Sequence, residues 1–224
     1  MKRSLLLITG ILVMSSLTYG QGLSFSYLIP KDGYLSSPVS PFSIRNVGLD
    51  FGLIEVETGF TLYSIGGLGM SGLPFESSRA LTGPHFSIMV PAQLVLGVDS
   101  KFVSVKLKGG GFAFYHINPR LNEGNLDREI REFESWQVAN SDLDMENNLG
   151  LGWIVGTSFE FHVSSKFSIT AGVSYLKGHS DSALEGTYTG AGAGEILETV
   201  DADFSDAQID LEGIEISIGV VLKK

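Results

Sequence analysis

The sequence predicts an all-β fold, an eight-stranded antiparallel up-and-down transmembrane β-barrel with short periplasmic turns and long outer loops. Three observations point to it. Period-two alternation of bulky apolar with small or polar residues recurs in eight runs. The connections between runs alternate in length: long (29–41), short (52–53), long (64–84), short (99–100), long (116–149), short (163–166) and long (178–207), the pattern of a membrane barrel. The bulky side of each run is branched or aromatic, whereas the other side holds Gly, Ser, Thr and a few charges. A small soluble barrel turns its large residues inward to fill a core at crystal-like density. Lipid would wet them from outside, and lipid forbids free strand edges, so the sheet must close. A soluble β fold that binds small apolar ligands is the competing reading, and it would need no detergent for extraction.

The runs follow in order. Gly22–Leu28 sets Leu23, Phe25 and Tyr27 against Ser24 and Ser26. Phe42–Phe51 sets Val47, Leu49 and Phe51 against Arg45, Asn46, Gly48 and Asp50, with an irregular start. Ile54–Tyr63 alternates Ile54, Val56, Phe60 and Leu62 with Glu55, Glu57, Gly59 and Thr61. His85–Val98 places Phe86, Ile88, Val90, Ala92, Leu94, Leu96 and Val98 on one side. Lys101–Tyr115 sets Val103, Val105 and Leu107 against Ser104, Lys106 and Lys108, then loosens through Gly109–Gly111. Gly150–His162 sets Leu151, Trp153, Val155, Phe159 and Phe161 against Gly152, Gly156, Ser158 and Glu160. Lys166–Gly178 alternates Phe167, Ile169, Val173 and Tyr175 with Ser168, Thr170, Gly172 and Ser174. The last begins near Gln208 and runs to Leu222, where Ile214, Ile216, Ile218, Val220 and Leu222 face away from Glu215, Ser217 and Gly219.

Residues 1–20 read as a secretory signal peptide: basic Lys2 and Arg3, an apolar Leu5–Met14 stretch, and Thr18 and Gly20 before a cut at Gln21. The barrel domain is then 21–224. No later apolar run reaches the 18 residues of a spanning helix. Without residues 1–20 the formal net charge moves from −10 to −12, which excludes nucleic acid as a partner. The absence of cysteine excludes disulfides, thiolate nucleophiles and Cys-based metal sites.

The leader, the eight runs and the turn-plus-strand "HVSSKFSITAGVSYLKG" (162–178) resemble the small outer-membrane β-barrel proteins of Gram-negative bacteria, especially the compact eight-stranded barrels of the Bacteroidota. The resemblance implies a porin-like architecture in the cell outer membrane, with membrane lipid and the barrel-assembly machinery as partners, and a monomer. Many members end in an aromatic residue. Lys224 stands there in this chain, and Leu222 is the last hydrophobe.

The alternation puts Glu55, Glu57, Lys106, Lys108, Glu160 and Glu215 inside the barrel as a structural charge network. Eight strands enclose little more than side chains, and an isolated charge there is costly, so the lysines should pair with carboxylates. Lys106 and Glu160, on neighbouring strands at similar heights, are the expected pair. A charge-lined narrow channel is the functional alternative to this polar plug.

Among the long loops, Leu126, Ile130 and Phe133 recur at helical spacing and predict a short amphipathic helix over the barrel mouth. The acidic loops 116–149 and 178–207 carry oxygen ligands suited to divalent cations, without EF-hand spacing. Segment 186–195, "GTYTGAGAGE", reads as flexible, and Phe133, Trp136 and Tyr188 as a partner patch or as rim packing. His85, His116, His162 and His179 show no metal-binding spacing, and "HSDS" (179–182) is too local for a catalytic triad. The sequence therefore predicts no cofactor, no metal site and no catalysis. It points to a non-enzymatic envelope or surface protein, with a narrow passive channel and an outer-leaflet lipid-modifying enzyme as alternatives.

Overall fold

The computed structural model describes residues 21–50 and 54–222. The proposed leader, the expected turn at 52–53 and Lys223–Lys224 lie outside the described residues, as do the side chains of Arg45, Asn46, Val47, Leu49 and Asp50. Eight long strands carry the fold: β1 (Gln21–Pro30), β3 (Ser37–Asp50), β4 (Ile54–Ile65), β7 (His85–Asp99), β8 (Val103–Ile117), β10 (Gly150–His162), β11 (Phe167–Asp181) and β14 (Gln208–Leu222). They pair antiparallel in that order, and β14 also pairs with β1 from Gln21↔Leu222 to Pro30↔Gly213. The result is an eight-stranded hydrogen-bonded ring. Each strand matches one of the eight runs, because alternation lets one side of a pleated strand face inward and the other outward.

Two described turns are tight. Ser100 donates its N–H to the Val103 carbonyl at 3.0 Å, and Ser164 donates to Phe167 at 3.1 Å. The Ser164 hydroxyl also accepts from the Lys166 and Phe167 amides at 3.2 Å each, a local side-chain turn. At the other end, the 31–36 connection is shorter than the expected 29–41. β3 continues upward to pair Ser37 with Ser64, and only β2 (Gly33–Tyr34) lies between β1 and β3. β3 also shifts register between Ile44 and Val47. The extra residue of such a bulge explains why Arg45 and Asn46 break the alternation there.

The remaining connections are built, not loose. β5 (Gly67–Leu68) pairs with β2, and β6 (Met70–Ser71) joins the top of β14. Helix α1 (Glu123–Glu134) starts at Asn122, whose side chain accepts from the Asn125 N–H, and ends at Ser135 in the left-handed conformation. Leu126 and Ile130 are buried as their spacing predicts, while Phe133 stays 47% exposed. β9 (Val138–Met145), β12 (Leu184–Ala191) and β13 (Glu198–Phe204) form a separate three-stranded sheet in the order β13-β12-β9. Residues 187–191 are thus paired strand, contrary to the flexibility expected of them. Gly186, at φ +146°, lets the strand lie against the Asp142 carbonyl, where a Cβ would stand 2.2 Å from the oxygen.

Inside the ring the small polar face holds only in the half nearer the tight turns. Toward the long connections the inward positions become Leu28, Met89, Phe112, Phe114, Ile154 and Leu176, all buried in one apolar cluster with Tyr63, Leu184 and Ile209. Glycines make the space. A Cβ on Gly152 would stand 2.4 Å from the Phe112 ring and 2.5 Å from the Lys177 carbonyl, and one on Gly150 would meet the Phe114 ring at 2.2 Å. Gly152→Ala should therefore lower the unfolding free energy by about 1–3 kcal/mol through overpacking. Pairing it with Phe112→Leu should cost less than the two changes added, as read from urea unfolding curves.

Candidate functional site

The outer wall of the ring is apolar and open. Leu23, Phe25 and Ile29 on β1, Leu94 and Leu96 on β7, and Leu151 and Val155 on β10 are exposed, as are Ile214, Ile216 and Ile218 on β14. Large apolar side chains exposed on strand after strand are unusual on the surface of a monomer in water. Its upper edge is level across three neighbouring strands. Ile29 and Tyr175 are the ladder partners of Ile214, and two residues higher stand Lys31, Lys177 and Glu212. Tyr175 donates its hydroxyl to Glu212 at 2.6 Å, and its ring packs 5.5 Å from that of Trp153. A Tyr–Trp pair between an apolar band and charges has one greasy end and one wet end.

The interior near the tight turns is ionic. Lys106 donates to Glu55 at 2.9 Å with a Glu57 oxygen at 3.8 Å, and Lys108 donates to Glu57 at 2.6 Å. Glu55 is thus the hydrogen-bond partner of Lys106, where Glu160 was expected. Glu160 adds its charge to the same lysine and sits 3.7 Å from the His162 ring, which also meets Ser104 and Ser168. β4 and β8 both flank β7, and Glu55 and Lys106 reach each other over Gly97, which puts no side chain between them. Higher up, Glu215 is 2% exposed and accepts from the Tyr63 hydroxyl. The interior thus collects all six predicted positions, in a ladder from Glu55 up to Glu215, with the apolar cluster above them.

A buried histidine pair was not anticipated. His85 Nε2 lies 3.1 Å from His116 Nδ1, with Ser87 Oγ 2.6 Å from the same nitrogen and the rings nearly perpendicular. The signal was there: the unshifted β7–β8 hairpin sets Ser87 opposite His116, a residue otherwise read as loop. In "HSDS", His179 is exposed while Ser180 and Ser182 are buried, so no triad geometry forms. Among the described residues no three His, Asp or Glu side chains gather as a metal site. The loop carboxylates instead spread over the exposed face of the outer sheet, where Glu185 is the ladder partner of both Asp144 and Asp203.

Helix α1 is tied down at several points. Arg79 pairs with Glu129 and lies 3.3 Å from Glu132, and the Glu129 hydrogen bond raises the Arg79 pKa above its ordinary value. Asp127 accepts from both the amide and the hydroxyl of Ser141. Tyr188 donates to Glu134 at 2.6 Å, and its ring packs 5.8 Å from Trp136, while Phe133 packs on Phe75 at 5.7 Å. Tyr188 and Trp136 therefore pack together between helix and sheet, while Phe133 lies half exposed against Phe75.

Neither a family model nor a curated protein matches the chain. Among solved structures it is similar to the attachment invasion locus protein Ail of Yersinia pestis, with 13% identity and a TM-score of 0.40. That similarity covers 92% of this chain and 97% of the Ail chain. With no helix long and apolar enough to cross a membrane among the described residues, the apolar wall belongs to strands alone.

Burial, with the Glu134 carboxylate beside it, pushes the Tyr188 hydroxyl up to about 12. A raised acid favours its neutral form in the folded chain, so this contribution is complete below the ordinary tyrosine value near 10 and fades as pH rises through 12. Ultraviolet titration should show a late tyrosine component that Tyr188→Phe diminishes.

Proposed function

We propose that the chain is a non-enzymatic integral outer-membrane β-barrel protein, monomeric, with a role in envelope structure or surface contact. In this reading residues 1–20 direct export and are removed, and the assembly machinery inserts the ring. The tight turns face the periplasm, while α1 and the outer sheet face outward. One observation carries it: large apolar side chains line the outside of a hydrogen-bonded ring and, on β1, β11 and β14, give way to charge just past Ile29, Tyr175 and Ile214. In water such a wall would drive aggregation; against hydrocarbon it is the expected surface.

The charge ladder is structural in this proposal. Leu28, Met89, Phe112, Phe114, Ile154 and Leu176 close the ring interior above Glu215 and leave a hydrated ion no polar route past them. That packing disfavours the channel alternative, and the buried Ser180 disfavours a hydrolase built on His179.

Two measurements test the proposal. The chain should need detergent for extraction and should migrate differently on gels before and after boiling; a freely soluble monomer would overturn it. In planar bilayers it should stay silent, and stepwise conductance would overturn the sealed interior. Lys106→Ala should leave Glu55 and Glu57 undercompensated and cost about 3 kcal/mol in urea unfolding, with Glu55→Gln added in the same chain recovering part of the loss.

A further inference from the structure

At the C-terminal end of α1 an open cleft of about 310 Å³ is lined by Arg128, Arg131, Glu132, Trp136 and Gln137. We propose that this cleft binds a singly charged acidic sugar, with its carboxylate between the two arginines and its ring against the indole. The inference rests on the outward placement of α1 in the membrane reading above and gives the surface-contact role a ligand.

Three features choose this chemistry. The first is a pair of cations left without anions. The chain holds 25 Asp and Glu against 15 Lys and Arg, and α1 itself is rich in carboxylates. Those carboxylates turn elsewhere: Asp127 to Ser141, Glu129 and Glu132 to Arg79, and Glu134 to Tyr188. Among the described residues the exposed Arg128 side chain makes no ion pair or hydrogen bond, and that of Arg131 bonds only the Asp127 carbonyl, at 3.3 Å through Nε. Three positions apart, the two are neighbours on the helix surface, where like charges repel. A carboxylate between them removes the repulsion and matches the planar fork of each guanidinium.

The second is a fixed aromatic wall with free polar groups beside it. Trp136 donates its amide to the Arg131 carbonyl at 3.0 Å, and its ring packs 5.8 Å from that of Tyr188 and covers Gly190. The half-buried indole is thereby held next to the arginines, offering an apolar face to the C–H side of a sugar ring. Its ring N–H has no acceptor within the chain. The exposed Gln137 amide is also without a hydrogen-bond partner, so its donors and its acceptor are both open to sugar hydroxyls.

The third is charge balance. Arg128 and Arg131 against Glu132 give the cleft a formal +1, which one carboxylate neutralises. A polyanion would bring further charges up to a chain whose formal net charge is already −10.

The test uses the Trp153→Phe chain, in which Trp136 is the only indole left, solubilised in a detergent without a sugar headgroup. Methyl glucuronide should change the Trp136 fluorescence saturably, with a Kd on the order of 1 mM. Methyl glucoside, the same ring without the charge, should bind roughly tenfold more weakly, the scale of one charge-assisted hydrogen bond. Arg128→Lys with Arg131→Lys keeps the charge but loses the forks and should weaken glucuronide binding severalfold. Arg128→Gln with Arg131→Gln should abolish it, while the late tyrosine component from Tyr188 persists in both variants and reports that α1 is still docked. No saturable change with the glucuronide, equal affinity for the glucoside, or unchanged affinity in the Gln pair would overturn the site. Heparin at the same concentration of anionic groups should leave the glucuronide bound; displacement would make the ligand a polyanion and overturn the single-charge assignment. Loss of heat modifiability in the unaltered chain would count against the barrel instead, so the two failures are separable.

Discussion

The pairing of β1 with β14 governs the rest of the molecule. Ten consecutive residue pairs join the first described strand to the last. Once the sheet returns on itself, every inward side chain competes for a narrow interior, and every outward one faces whatever surrounds the ring. A backbone that satisfies its own hydrogen bonds is the one condition under which strands can stand in hydrocarbon.

The interior solves its crowding in two ways. Near the tight turns, lysines of β8 and carboxylates of β4 neutralise one another over the intervening β7, with serines and threonines filling the gaps. Near the long connections, aromatic rings lie over glycines on the neighbouring strand, Phe112 against Gly152 and Phe114 against Gly150. Glycines that weaken a strand in isolation admit the rings that fill the ring interior above the charged residues. Above, the helix and outer sheet cap this packing through Phe75, Leu143 and Phe204, which touch both apolar clusters.

Legibility followed the range of the interactions. The eight strands could be read because a two-residue period is local, and the amphipathic helix because Leu126 and Ile130 lie one turn apart. The break at Arg45–Asn46 was visible, and the register shift is its cause. Less legible was anything set by which strands stand side by side and how they are registered. Lys106 takes Glu55 from β4 although its sequence suggested Glu160 from β10. His85 and His116 meet because a hairpin stays in register for its full length, which carries His116 out of the loop assigned to it. The outer sheet escaped notice because it joins two connections far apart in the chain, and glycines within β12 mask its strand character.

By itself the sequence determined which residues alternate, where the tight turns fall, and that bulk and polarity lie on opposite faces, since each depends on neighbours a few positions away. Tertiary structure alone decided that the polar face changes to an apolar one partway up the ring. It also decided which lysine meets which carboxylate, and that Lys31 and Lys177 share Glu212 at one level. Those outcomes depend on how strands are staggered around the hydrogen-bonded ring, and the stagger is fixed only when the first and last strands meet.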